Sequence, residues 1–181
     1  MMKQENKFSW AYIETLASSM VEMPYKGDRI VMQVLLPGDR HGLGELEKML
    51  INHNVQELFE KERYETKVMV QLPKFKLEQT IPLTDHLTTL GMKDMFIGGV
   101  ADFSGIDGTK QLYVSSVIQK AFIEVNEEGS EAAAATGAVM MMRSMPAPPE
   151  QFVADHPFIF YLRDKTTGML LFQGRVVNPS L

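Results

Sequence analysis

Four histidines, His41, His53, His86 and His156, are the side chains best suited to bind a metal or move a proton. Their spacing serves neither role. No HExxH or other paired-histidine pattern occurs, so they read as surface or hydrogen-bonded residues. No GxSxG elbow is present to expose a nucleophilic serine. Gly98-Gly99 and the SGIDG loop lack the Lys-Ser/Thr pair that a phosphate cradle needs. Asp102 and Asp107 could share acid–base work, but isolated loop carboxylates read as solvated groups. With no cysteine there is no disulfide, thiol nucleophile or thiolate metal site, and the redox compartment stays open. The chain is not expected to be an enzyme, and no cofactor or metal is expected.

A different kind of chemistry is written in residues 127–145, EEGSEAAAATGAVMMMRSM. No charge separates Glu131 from Arg143. The stretch is too apolar for an ordinary exposed loop, and its glycine and β-branched residues spoil it as a helix. As a strand, Ser130, Ala132, Ala134 and Thr136 would share one face, with Glu131, Ala133, Ala135 and Gly137 on the other. The first face is wholly small and uncharged, fit to enter a packed core without an unpaired charge. On the second, only Glu131 needs water. Gly129 gives the backbone freedom just ahead of the run. Met142-Arg143-Ser144 then presents one basic side chain among apolar neighbours. The pattern suits a loop that is presented first and inserted later as a strand.

The elements that must hold such a loop are legible around it. At 181 residues the chain is about one domain, with enough apolar residues (45%) for a core. A net charge of −5 argues against general nucleic-acid or acidic-membrane binding. No apolar run reaches the roughly 20 residues that span a bilayer. MMKQENKF lacks the apolar core of a signal peptide and reads like the middle of a chain. ASSMVEMPY (17–25) and RIVMQVLL (29–36) predict two strands joined by Lys26-Gly27-Asp28. Residues 42–50 put Leu43, Leu46 and Leu50 on one helical face, and Val55, Leu58 and Phe59 predict a second short helix. From Lys67, KVMVQLPKFKLEQ alternates as a strand, and a short helix follows Pro82, capped by Thr84 or Asp85 and ended at Gly91. Residues 111–126 form the longest strand candidate; FIFYLRD, a turn at 165–168, and MLLFQGRVV form a hairpin. Most of the 14 methionines sit at strand or helix spacing and read as core. No repeat, linker or domain boundary stands out. The fold class is α+β.

Taken in order, MMKQENKF, VEMPYKG, LLPGD, LPKFKLE, LGMKDMF, ADFSGI, KAFIEVNEEGSEAAAAT and FVADHPFIFYLRDKTTGMLLFQGRVVNP resemble the serpin family of serine protease inhibitors over essentially the whole chain. The resemblance is to the C-terminal half of a serpin, a domain roughly twice this length. It implies mostly antiparallel sheets, a few helices and a long exposed reactive-centre loop, with residues 1–181 one portion of a single domain. Gln119 departs from the family pattern, standing where many serpins carry a histidine in the strand before the hinge.

The resemblance implies roles residue by residue. Glu127, Glu128, Gly129, Ser130, Glu131, Ala132, Ala133, Ala134, Ala135 and Thr136 would be the hinge and inserting strand. Counted from Gly129, the family's loop length places the scissile bond between Arg143 and Ser144. Val139, Met140, Met141, Met142, Met145 and Pro146 would contact the protease, with Met142 or Met141 secondary sites for chymotrypsin- or elastase-like enzymes. The implied partner is a trypsin-like serine protease, trapped as a suicide complex after cleavage. A secreted location is also implied, and the N-terminal half of the fold is expected to be required. Polysaccharide binding stays open, because its usual site lies in that other half. The alternative is a non-inhibitory serpin, or an inactive half acting as substrate or interaction module.

Overall fold

The computed structural model describes residues 1–54, 57, 63–127 and 148–179. Contacts group the chain into two compact units, one of Met1–Phe75 with Val125–Leu181 and the other of Lys76–Glu124.

The first unit is built on seven strands: β1 (Met2–Ile13), β2 (Ser18–Pro24), β3 (Ile30–Pro37), β4 (Tyr64–Leu72), then β7 (Glu150–Val153), β8 (Phe158–Asp164) and β9 (Leu170–Val176). They lie in the order β7-β4-β1-β2-β3-β8-β9. All pairs in this sheet are antiparallel except β4 with β7, which runs parallel. The predicted turn between β2 and β3 holds Gly27 at φ +86° and Asp28 at φ +56°, the left-handed region that glycine adopts freely. Tyr25 N donates to Ile30 O at 2.8 Å and closes it.

Cross-strand register sorts the apolar residues into two faces. Ala11, Met20, Leu35 and Ile159 are successive partners across β1, β2, β3 and β8 and share one face. Leu43 and Leu46 of helix α1 (Leu43–Ile51) cover it, with Met49 and Leu50 packed partly against the cluster. The other face carries Val21, Val34 and Phe160, again in register. Phe75 packs on Phe158 and Phe160 there, with ring centroids 5.9 and 5.5 Å apart. Glu22 is buried and charged, which is tolerable because its Oε2 accepts from Gln33 Nε2 at 2.7 Å and Arg63 Nη1 at 2.6 Å.

The second unit pairs β5 (Phe75–Pro82) with β6 (Ile118–Val125) in a two-stranded sheet. Helices α2 (Thr84–Thr89) and α3 (Ser104–Asp107) lie between those strands in sequence. Ala101 alone among its described residues is a buried hydrophobic, while Leu90, Val100, Ile106, Ile118 and Phe122 are exposed.

Several expectations shift. Residues 2–13, read from sequence only as mid-chain, form a twelve-residue strand, the longest described. It changes partner along its length, meeting β4 from Met2 to Trp10 and β2 from Ser9 to Ile13. Its first half exposes Lys3, Glu5 and Lys7, so it has no apolar alternation to betray it. The strand predicted over 111–126 begins only at Ile118, because Val117 is drawn to the start of α2: Leu83 N donates to its carbonyl at 2.8 Å, and its N–H donates to Thr84 Oγ1 at 3.0 Å. No side chain caps α2, in place of the expected Thr84 or Asp85. The single run from Lys67 is two strands parted at Pro73. Met20 and Met32 are core, but Met92 and Met169 are exposed. The helix expected around Val55, Leu58 and Phe59 lies outside the described residues.

Gly174 faces Phe160 in register, and a Cβ there would stand 2.6 Å from Phe160 Cζ. Gly174→Ala should therefore destabilise the intact protein by about 1–3 kcal/mol through overpacking. Urea denaturation measures the loss, and Phe160→Leu in the same chain should recover part of it. An unchanged midpoint for Gly174→Ala alone would show that the ring moves aside freely.

Candidate functional site

The segment 127–145 leaves the end of β6 and the chain is described again at Pro148, just before β7. Of the predicted loop, Glu127 is described; residues 128–136 and 139–146, with the proposed Arg143–Ser144 bond, lie outside the described residues. What the structure supplies is the pair of roots on which the loop hangs.

At the first root, the Glu127 carboxylate pairs with Lys74 Nζ. Lys74 stands in the corner between β4 and β5, where Pro73 breaks the strand run. The hydrogen bond from Lys74 holds the Glu127 carboxyl below the usual range for glutamate. At the second root, β7 lies parallel to β4, with Val68 opposite Glu150 and Gln71 opposite Val153. Phe152 is buried beneath it, and Ala154 N donates to Gln71 O at 2.9 Å. Both roots therefore rest on β4 and the corner that follows it. β6 itself is the end strand of its two-stranded sheet, and Gln119 on it is exposed.

The other candidates do not assemble into a reactive centre. Asp102 binds Lys110 Nζ at 2.9 Å and the Ser104 hydroxyl at 2.6 Å, and these hold its carboxyl far below the ordinary range. Asp107 is lowered by the Thr109 hydroxyl and then by the Thr109 amide. Both read as ionised carboxylates, Asp102 in the loop before α3 and Asp107 at its end, each tied to neighbours in its own turn. His53 Nδ1 lies 2.7 Å from Met49 O, His41 is in the turn between β3 and α1, His86 is on α2, and His156 lies between Asp155 and Pro37. Among the described residues no group of three His, Asp or Glu could hold a metal, and no helix is long and apolar enough to cross a membrane.

Lys74 is the residue that reading the sequence missed. A proline between two alternating runs marks the corner, but nothing in the sequence ties that corner to Glu127.

The ion pair predicts a titration. A carboxyl lowered in the folded state stabilises it above the ordinary glutamate range, and that contribution is lost as pH falls through the lowered value. The Glu127 carboxyl carbon, followed by NMR, should therefore titrate below an ordinary glutamate and move up in Lys74→Ala. An identical titration in that variant would remove Lys74 as the cause.

Comparison with known proteins agrees with this architecture. The family described as Serpin (serine protease inhibitor) matches residues 1–179. Leukocyte elastase inhibitor of Equus caballus is 45% identical over 184 aligned positions, covering 99% of this chain and 48% of that protein. Serpin B4 of Homo sapiens is 43% identical, covering 99% of this chain and 46% of its own length. Among solved structures, uncleaved ovalbumin superposes with TM-score 0.80 at 31% identity, over 98% of this chain and 44% of that one. Serpin48 from the insect Tenebrio molitor gives 0.77 at 38%, over 98% and 45%. The chain spans about half the length of the curated relatives that it matches. With its family match, its seven-stranded sheet and the long connection from β6 to β7, this chain belongs to the serpin family.

Proposed function

We propose that this chain is the C-terminal portion of a single serpin domain, and that the whole domain inhibits a trypsin-like serine protease as a suicide substrate. The observation that carries the reading is the composition of the β6–β7 connection: a small, uncharged alternate face over residues 130–136, followed by an isolated arginine at 143.

The chemistry is that of acyl transfer. The protease serine attacks the Arg143 carbonyl, the Arg143–Ser144 peptide bond breaks, and the Ser144 amine leaves with a proton. Arg143 is held as an ester, its guanidinium forked onto the pocket carboxylate. Residues 130–143, at ~3.3 Å each, extend about 45 Å as a new strand of the main sheet, far enough to carry the bound protease across a small domain. Strain stored in the uncut fold drives the insertion, and the distorted protease cannot complete hydrolysis. The roots support this division of labour. The Glu127–Lys74 pair supports an inserting arm that starts after it, and the β7–β4 ladder supports an arm that stays behind. No part of this reading needs the secreted location that the family resemblance implies.

A second reading has its own support. Relatives at 40–45% identity carry the name leukocyte elastase inhibitor, and Met142 or Met141 could serve an elastase-like pocket. Arg143 favours the trypsin-like enzyme.

Arg143→Ala decides between them. In the intact inhibitor it should slow association with trypsin by roughly 10- to 100-fold, since an unpaired buried carboxylate costs about 1–3 kcal/mol. Unchanged trypsin inhibition would place the cut elsewhere.

The alternating face gives a second test. Ala134→Glu should turn the inhibitor into a substrate, because an unpaired buried charge costs several kcal/mol, about enough for deacylation to overtake insertion. Ala133→Glu, on the outward face, should matter far less. Moles of inhibitor consumed per mole of protease silenced is the quantity to measure, and equal damage from both variants would sink the alternation.

A further inference from the structure

At the far end of β7 the chain makes a turn that ties it across the sheet. Asp155 N donates to Val153 O at 2.9 Å, and the Asp155 side chain sits between two cation-forming groups. Arg40 Nη1 donates to Asp155 Oδ2 at 2.7 Å, while Arg40 Nη2 donates to the Asp155 backbone carbonyl at 3.2 Å. On its other side, Asp155 Oδ1 is 2.8 Å from His156 Nδ1, and His156 Nε2 is 2.7 Å from the carbonyl of Pro37. The His156 side chain is only 10% exposed, so this link is largely shielded. Pro37 ends β3, an interior strand, and Arg40 follows in the break before α1.

The tethered element needs such help. β7 has four residues, lies at an edge of the sheet and pairs in parallel with β4. A short parallel edge strand has few hydrogen bonds to hold it, and parallel pairs are slightly weaker per residue. It is also the return point of the loop. We infer that Arg40, Asp155 and His156 are positioning residues for that loop: they clamp the end of β7 to the end of β3 and so fix the C-terminal root from which the scissile segment is presented. The inference rests on the inhibitory reading for its function, but the clamp can be tested apart from it.

An exposed ion pair alone is worth little, and Arg40 is 64% exposed. The clamp differs in gripping side chain and backbone of one residue at once, a geometry that lysine cannot copy. In the intact inhibitor, Arg40→Ala should raise amide hydrogen exchange over residues 150–154 by roughly two- to tenfold, with exchange over β8 unchanged. Arg40→Lys should recover only part. Association with trypsin should slow by a similar factor, with the stoichiometry of inhibition kept. Unchanged exchange at 150–154 in Arg40→Ala would overturn the clamp, as would exchange raised equally across β7 and β8, or full recovery by lysine. If wild type and variant both fail to trap trypsin, the inhibitory reading falls, while the exchange pattern still judges the clamp.

Discussion

The backbone hydrogen bonds of β1 are the constraint on which the first unit depends. One strand must satisfy β4 along one edge and β2 along the other, and each set fixes a register. Trp10 shows how tightly the two are joined. It stands opposite Tyr64 on one side, with the rings edge to face at 5.6 Å, and opposite Val21 on the other. A slip of one residue in either pairing would turn every side chain of β1 to the wrong face. Since β4 carries β7 and leads into the Lys74 corner, the position of both loop roots is inherited from this register.

Packing and charge then act at different depths. The Phe75–Phe158–Phe160 group and the cluster under α1 supply the apolar burial that makes the sheet worth forming. Glu22 is the deepest charge, and its partners come from three places: Gln33 on β3, Arg63 ahead of β4, and Lys165 in the β8–β9 turn at 3.7 Å. It fixes those segments to β2 because a carboxylate so buried is badly destabilised when any close donor leaves. The loop roots use exposed pairs instead. Such pairs specify geometry at little depth of energy.

Legibility in the sequence followed the same division. The β2–β3 and β8–β9 pairs were readable because each strand has apolar alternation and a turn rich in glycine or polar residues. Helix α1 was readable because Leu43, Leu46 and Leu50 share a face. β1 was not, since Lys3, Glu5 and Lys7 alternate charge rather than hydrophobicity, and its meaning lies wholly in its partners. In the second unit the helix after Pro82 and the end of the 111–126 strand were readable, and the start of that strand was not, for a related reason. The unit's described residues bury almost nothing among themselves, so apolar periodicity there points at no face that the chain itself covers. For the proposed site, the small residues and Arg143 stand out by composition alone, and they lie outside the described residues. Lys74 and the Arg40–Asp155 pair do not, because long-range contacts between common charged residues leave no local signature.

The parallel pairing of β7 carries a consequence for what a cut means. Among the described residues, β7 and β8, downstream of residue 147, are laddered to β4 and β3, upstream of residue 128. The stretches on either side of residues 128–147 are thus joined by strand hydrogen bonds as well as by the covalent chain. The downstream stretch enters the sheet at three places, with β7 at one edge, β9 at the other and β8 inside. In the proposed reaction, scission of the covalent link would act less like damage than like the opening of a clasp.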